Sequence, residues 1–193
     1  MTDVVRLTLV SHAMTHAMVA GCFPADEPLN DTGRRQIKAA CEREALALRG
    51  ADSGIRQLAG PEQRVQQTAQ LLGLQSATEP LLADLDCVGW RGKTLTDVDP
   101  AELHVWLTDP AQSPHGGESL VDLMGRVGEW MKTLESPTDS VSRTVAVTHP
   151  AVIRAAILIA LGAAPKSFWR IDIAPVSCTT MNFRRGLWTL RLL

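Results

Sequence analysis

Two histidines stand directly after strand-like runs of residues, and they are the side chains best suited to chemistry in this sequence. The run "VVRLTLV" leads into Ser11 and His12, and "RTVAVT" leads into His149. A neutral imidazole is a good nucleophile near pH 7, and a second imidazole can donate a hydrogen bond. Because ligands bind beyond the carboxyl ends of parallel strands, we expect both rings to share one site.

A phosphoryl group is a suitable substrate for such a pair, and it needs positive charge nearby. Phosphoryl oxygens together carry about two negative charges at neutral pH, so a site for them requires cationic donors. Arg64 lies in "PEQRVQQTAQLLG", a segment with the pattern of a helix start. We therefore predict that Arg64 joins His12 and His149 in a phosphate site.

The elements that would position these side chains alternate between strands and helices. Residue patterns predict strands at 4–10, 55–59 and 143–148, and a last pair of strands joined around Arg185 and Gly186. Caps and helical spacing predict helices from Asn30 or Asp31 to 49, over 61–72, from Asp99 onward, and over 119–134 and 151–161. This order predicts an α/β fold, a three-layer α/β/α sandwich with a mostly parallel central sheet, in one domain spanning 1–193.

The composition is that of an ordinary globular chain and excludes several classes of partner. Of 193 residues, 45% are hydrophobic and 21% are charged, and the formal net charge is -2, so we expect neither a nucleic-acid nor a membrane partner. The sequence predicts no membrane span, because no apolar run reaches about eighteen residues. We expect no signal peptide, because "MTDVVRLTLV" has an early acid and no basic region before a long apolar stretch. The four cysteines are dispersed without metal-binding spacing, which predicts a cytoplasmic protein with free thiols.

Six short motifs follow one another in a familiar order over nearly the whole chain. "LVSHAMT" is similar to LVRHGET, and "DEPLNDTGRRQ" is similar to D-x-P-L-T-x-x-G-x-x-Q. "RVQQTA" is similar to R-A-x-Q-T-A, and "LADLDCVGWRG" is similar to an L-x-E segment that leads to W-E-G. "GGES" and "VTHPA" complete the series, the latter similar to V-S-H-G-G. The chain therefore resembles the histidine phosphatase (phosphoglycerate mutase-like) superfamily, and a phosphoglycerate mutase-like fold is implied.

The resemblance implies a mechanism and a set of site residues. His12 would attack the phosphorus of a phosphomonoester to form a phosphohistidine, which water would then hydrolyse. Asp84 would protonate the leaving oxygen and later activate the water, as general acid–base catalysis requires. No metal and no cofactor are expected, since positioned cations would stabilise the transferring group. The implied catalytic residues are His12, Arg64, Asp84 and His149, and the implied phosphate-binding residues are Ser11, His12, Thr15, Arg64 and His149.

The first motif departs from the family pattern in a way that matters for catalysis. Ser11 replaces the arginine before the nucleophile, and Ala13 replaces the glycine after it. A charge-assisted hydrogen bond to a phosphoryl oxygen contributes roughly 1.5–3 kcal/mol, and a serine hydroxyl brings no charge. Pro150 follows His149, so the backbone N–H that could bind an anion there is missing. Arg91, in place of an acid, could return a positive charge to the rim.

Three functions remain open on these residues. The first is a phosphomonoester hydrolase with reduced activity, acting on a small phosphorylated substrate. The second is a weak or inactive pseudophosphatase that keeps the fold and an anion-binding pocket. The third is a metal-dependent hydrolase that uses His12, His16 and His149 as ligands, which is disfavoured because a His-x-x-x-His pair aligns its ligands only on a helix.

The remaining predictions concern the proton donor, the other histidines and assembly. Asp84 is favoured as the proton donor over Asp86 and Glu118. His104 and His115 have no motif around them, and we expect both at the surface. The helix predicted over 151–161 and the terminal strands could form the interface of a homodimer. The segments 14–28 and 85–114 would determine substrate specificity.

Overall fold

The centre of the molecule is a six-stranded, mostly parallel sheet. A computed structural model describes residues 4–42, 54–135 and 142–192 of the chain. The strand order is β3-β2-β4-β1-β5-β6, in which β1 to β4 run parallel and β5 and β6 run antiparallel to their neighbours. The predicted α/β class is confirmed. The strands are β1 (Val5–Ser11), β2 (Ile55–Ala59), β3 (Ala77–Thr78), β4 (Arg143–Thr148), β5 (Cys178–Arg184) and β6 (Leu187–Arg191).

Helices cover both faces of this sheet, so the structure has three layers. Alternate side chains of a strand point to opposite faces. Leu9 and Ala146 accordingly pack with the helices over 120–135 and 150–161, whereas Val10 and Val147 pack with those over 31–42 and 63–71. No helix in the described ranges is long and apolar enough to cross a membrane. The helices are α1 (His16–Ala20), α2 (Asp31–Glu42), α3 (Gln63–Leu71), α4 (Pro100–Thr108), α5 (Leu120–Glu135) and α6 (Pro150–Leu161).

Most predicted elements are present, with shifts at their ends. β2 has the predicted bounds, and Asp99 caps α4 by accepting hydrogen bonds from the first backbone N–H groups of that helix. The predicted start of α3 at Pro61 is wrong, because Glu62 is the N-cap and the helix begins at Gln63. The predicted end of α2, over 43–50, lies outside the described residues.

The last two strands form the predicted hairpin. Arg185 and Gly186 join them, and both have positive φ angles, 54° and 79°. Two successive left-handed residues are typical of the two-residue turns that match the twist of a hairpin.

Candidate active site

Neighbouring parallel strands deliver the two histidines to the same edge of the sheet. β1 and β4 pair in register up to Ser11 and Thr148, so His12 and His149 follow at equivalent positions. The backbone N–H of His12 donates to the carbonyl oxygen of Thr148 at 3.0 Å. The centroids of the two imidazole rings lie 5.2 Å apart, with an interplanar angle of 67°. The predicted meeting of the two rings is therefore present.

The hydrogen bond of His12 determines which ring nitrogen is free. Nδ1 lies 2.8 Å from the carbonyl oxygen of Ala13, and because a carbonyl can only accept, Nδ1 must carry the proton. In the neutral ring Nε2 then keeps its lone pair. Burial lowers the pKa of His12 to about 3, and the positive charges of His149 and Arg64 act in the same direction. His12 is thus a neutral imidazole at physiological pH.

The turn after His12 is held by residues from two of the sequence motifs. The N–H of Ala13 donates to Oγ1 of Thr68 on α3 at 3.1 Å, and the N–H of Met14 donates to Oε1 of Gln36 on α2 at 3.2 Å. Gly33 lets α2 approach this turn, since a Cβ on it would overlap the backbone oxygen of Met14. These polar motif residues therefore fix the backbone that presents the histidine.

Arg64 lies in the first turn of α3 and is almost completely buried. Its Nη2 donates to Oδ2 of Asp84 at 2.7 Å, and its Nη1 donates to the carbonyl oxygen of Ala25 at 2.7 Å. A carboxylate oxygen of Glu27 lies 3.8 Å from Nη1. Its Nε has no hydrogen-bond partner within the described ranges. The predicted cation of the site is present, and Asp84 already neutralises it.

His149 is fully buried between two carboxylates. Its Nε2 lies 2.7 Å from Oε2 of Glu62, and its Nδ1 lies 3.3 Å from Oδ2 of Asp84. Burial alone would lower the pKa of His149, but Asp84 and Glu62 outweigh that effect and raise it above the ordinary 6.5. The two carboxylates therefore favour the protonated form of this imidazole.

The two carboxylates respond in the opposite direction. Burial would raise the pKa of Asp84, but His149 and Arg64 outweigh it and hold that pKa below its usual value. Hydrogen bonding to His149 likewise lowers the pKa of Glu62 against the effect of burial. Sequence reasoning missed Glu62. The available signal was an acid at the N-cap position, two residues before Arg64.

A cavity of about 190 Å³ opens beside these groups. His12, Arg64 and Asp84 line it, together with Glu27 and Arg154. His149 does not line it, although its Nδ1 lies 3.3 Å from the carboxylate of Asp84, which does. Much of the remaining wall is apolar and aromatic, and its main residues are Phe23, Leu85, Trp106, Ala151, Phe168 and Trp169.

Ser11 and Thr15, both predicted to bind phosphate, make local structural contacts. The hydroxyl of Ser11 is fully buried and donates to the carbonyl oxygen of His12 at 3.3 Å. The hydroxyl of Thr15 caps α1 by accepting from the N–H of Met18 at 3.3 Å. Neither residue lines the cavity. Phosphate binding by Ser11 and Thr15 therefore stays a prediction, and the positions of the two side chains do not support it.

The three candidate proton donors have different surroundings. Asp86 is exposed and pairs with Arg91 at 2.8 Å, so the arginine's charge is already matched by an acid. Glu118 pairs with Arg126 through two hydrogen bonds of 2.7 and 2.8 Å. Nη1 and Nη2 of Arg126 also donate to carbonyl oxygens of the loop that leads to Asp84, so Glu118 helps to position that loop. Of the three, only Asp84 lines the cavity beside His12.

The other histidines lie apart from the site. His104 is exposed, as predicted, and His16 is exposed at the start of α1. The prediction of a surface position for His115 is wrong. That side chain is buried against Trp90, with a distance of 5.1 Å between ring centroids. The described residues contain no group of three histidines, cysteines or acids that could hold a metal ion.

Comparison with known proteins agrees with the fold. Residues 7–193 match the sequence profile of the histidine phosphatase superfamily (branch 1), and the chain belongs to this family. The bifunctional protein Rv2228c of Mycobacterium tuberculosis is 29% identical over 188 residues, which cover 92% of this chain and 50% of the relative. The glucosyl-3-phosphoglycerate phosphatase of Mycolicibacterium vanbaalenii is 30% identical over 134 residues, 63% of this chain and 56% of that protein. The chain spans about half of the length of these curated relatives.

Solved structures share the fold over almost the entire chain. A variant phosphoserine phosphatase from Entamoeba histolytica, in complex with phosphoserine, has a TM-score of 0.82 at 19% identity and covers 96% of this chain and 94% of its own. The mycobacterial glucosyl-3-phosphoglycerate phosphatase Rv2419c has a TM-score of 0.79 at 22% identity, with 97% of each chain covered. At these identities the likeness establishes the fold and not the substrate.

Proposed function

We propose that this chain hydrolyses phosphomonoesters through a phosphohistidine intermediate on His12. The observation that carries the proposal is the state of that ring. It is neutral, its Nδ1 proton is committed to the carbonyl of Ala13, and it lines a cavity together with Arg64 and Asp84. A buried neutral imidazole with a free Nε2 is the form that attacks phosphorus.

The reaction proceeds in two displacements at phosphorus. Nε2 of His12 forms the bond to phosphorus as the bond to the leaving oxygen breaks, and Asp84 gives its proton to that oxygen. Water then attacks the phosphohistidine, the N–P bond breaks, and Asp84 takes the proton of the water. The guanidinium of Arg64 stabilises the oxygens of the transferring group in both steps. Histidine and carboxyl group end each cycle as they began it.

The ion pairs of Asp84 explain how it can serve as an acid. In the resting site Arg64 and His149 lower its pKa and keep it ionised. A phosphoryl group that enters the cavity adds negative charge beside Asp84 and competes for the same donors. Both effects raise the pKa of Asp84, so the carboxyl group holds a proton when the leaving oxygen needs one.

The same contacts support a reduced rate of turnover. An incoming anion must displace the carboxylate of Asp84 from Arg64, and Ser11 adds no positive charge in return. The alternative is a weak or inactive pseudophosphatase that binds phosphate-like anions in this cavity. Relatives named for phosphoserine and glucosyl-3-phosphoglycerate support a small phosphorylated molecule as the ligand in either case.

The experiment that tests the proposal follows one phosphoryl group. Purified protein is mixed with 4-nitrophenyl phosphate labelled in the phosphoryl group, quenched in alkali and examined for label that is stable in alkali but lost in acid. We expect such label and nitrophenol release in the wild type, and neither in His12→Ala. His104→Ala, at an exposed position, is the matched control and keeps both signals.

The outcomes separate the two functions. Turnover that persists in His12→Ala removes this residue from the nucleophile role. Vanadate binding measured by calorimetry in the wild type, without turnover or label, establishes the pseudophosphatase instead.

A further inference from the structure

The cavity contains a second arginine that the proposed hydrolysis does not use. Arg154, on the first turns of α6, lines the same space as His12 and Arg64. Its surroundings differ from those of Arg64, since its guanidinium carbon lies 5.6 Å from the ring centroid of Phe168 and 5.8 Å from that of Trp169. One part of the cavity thus carries the charged groups beside His12, and Arg154 adds a separate cation within the aromatic wall.

The hydrogen bonding of Arg154 leaves its outer nitrogens free. Nε donates to the carbonyl oxygen of Ile171 at 2.8 Å, which fixes the orientation of the guanidinium plane. Within the described part of the chain, neither Nη atom has a hydrogen bond and no carboxylate lies within ion-pair distance. A guanidinium held through Nε presents its remaining N–H groups as a planar fork, the geometry that matches a carboxylate.

The charge of Arg154 is only partly balanced by other groups within the described residues. Burial lowers the pKa of Arg154, and Asp172 and Asp84 counteract this only from a distance. The free-energy cost of removing a charge from water is offset when the charge binds a partner with good hydrogen-bond geometry. An anionic group that enters the cavity would supply that partner.

Two more donors of the same wall lack acceptors. The indole nitrogens of Trp106 and Trp169 are buried and have no hydrogen-bond partner within the described ranges. Both tryptophans line the cavity, and their ring centroids lie 4.4 Å apart. Because neither nitrogen is accessible to solvent, the two tryptophans contribute aromatic surface to the cavity and not hydrogen-bond donors.

We propose that Arg154 and the tryptophan pair form a subsite for a carboxylate on the leaving group of the substrate. This inference rests on the proposed phosphomonoesterase function, whose phosphoryl group would bind at His12 and Arg64. The substrate is accordingly a small phosphomonoester with an apolar or aromatic portion between its phosphate and its carboxylate. The volume of about 190 Å³ suits a small-molecule ligand.

The test measures binding, so that it does not depend on turnover. The probes are 4-(phosphonomethyl)benzoate and benzylphosphonate, which differ in the carboxylate and are not hydrolysed. Calorimetry of the wild type is expected to show tighter binding of the carboxylated probe by about ten- to hundredfold, the range for one charge-assisted interaction. Arg154→Met keeps the length and apolar character of the stem and is expected to abolish this preference.

Arg170→Met is the matched control, because Arg170 is exposed and does not line this cavity. It is expected to retain the preference of the wild type. Equal binding of the two probes, no binding of the carboxylated probe, or a preference that survives in Arg154→Met overturns the subsite. Hydrolysis of phenyl phosphate by the wild type is measured alongside and reports on the proposed function alone.

Discussion

At the scale of single residues, Glu62 is the side chain that most changes the expected site. Its carboxylate accepts from His149 at 2.7 Å and from the backbone N–H of Asp84 at 2.9 Å. One acid therefore connects the second histidine to the proton donor. Under the proposed function His149 therefore acts on the phosphate indirectly, through its contact with Asp84.

Glu62→Gln tests this assignment. An amide can still accept a hydrogen bond but carries no charge, so the pKa of His149 is expected to fall towards its ordinary value. The measurement is an NMR titration of the imidazole nitrogens. Glu79→Gln is the control, since that exposed acid caps a different turn. An unchanged titration of His149 would show that Glu62 does not hold its proton.

Ser11→Ala tests the other unusual residue. Because the hydroxyl donates to the backbone of His12 and does not line the cavity, we expect kcat/KM for 4-nitrophenyl phosphate to change by less than about threefold. Loss of a donor to the transition state would instead reduce the rate by about 10²–10³. A reduction of kcat/KM by that factor would show that Ser11 does bind the phosphoryl group.

At the scale of elements, the contact between α2 and the turn after His12 couples packing to catalysis. Gly33→Ala places a methyl group against the backbone oxygen of Met14. A backbone atom cannot move away by a change of rotamer, so the overlap must be relieved by a shift of the chain. We expect a loss of about 1–3 kcal/mol in the free energy of unfolding, measured by urea denaturation, and a lower kcat/KM.

The control for that variant is Gly125→Ala in α5. A Cβ on Gly125 meets no atom within 4 Å, and alanine in a helix interior is favoured over glycine by about 0.5–1 kcal/mol. This variant is expected to be as stable as the wild type or more so. Equal stability of the two variants would show that the close approach of α2 to the turn after His12 does not limit stability.

Sequence patterns predicted some of the contacts between elements and missed others. The paired histidines follow from strand ends in a parallel sheet, which is a property of the backbone, and they were predicted. The Glu62–His149 contact spans 87 residues and depends on the side-chain packing of two helix starts, which no local pattern encodes. His115 was misplaced for a similar reason, because Trp90, distant in sequence, covers it.

At the scale of the whole molecule, the two histidines make stability depend on pH in opposite ways. The pKa of His12 is about 3 in the folded chain, against an ordinary value of 6.5, so the unfolded chain binds more protons between these values. Stability therefore falls as pH drops below about 6.5. The pKa of His149 is raised, so its contribution is full below 6.5 and is lost as pH rises through the folded value.

The carboxylates extend the acid side of this profile. The pKa values of Asp84 and Glu62 are both lowered by His149, so their contributions are present above the ordinary carboxyl values and are lost as pH falls further. The free energy of unfolding is thus expected to have its maximum near pH 6.5, with a decline on each side.

Urea denaturation at a series of pH values between about 4.5 and 8.5 measures this profile. His12→Asn keeps an N–H that can donate to Ala13 but removes the titration. In this variant the free energy of unfolding is therefore expected to change less steeply with pH on the acid side, by as much as about 1.4 kcal/mol per pH unit. Its pH dependence on the alkaline side is expected to be unchanged. His104→Asn, at an exposed position, should reproduce the wild-type curve. An acid limb with the same slope in His12→Asn would mean that His12 is not the neutral, buried imidazole on which the proposed chemistry depends.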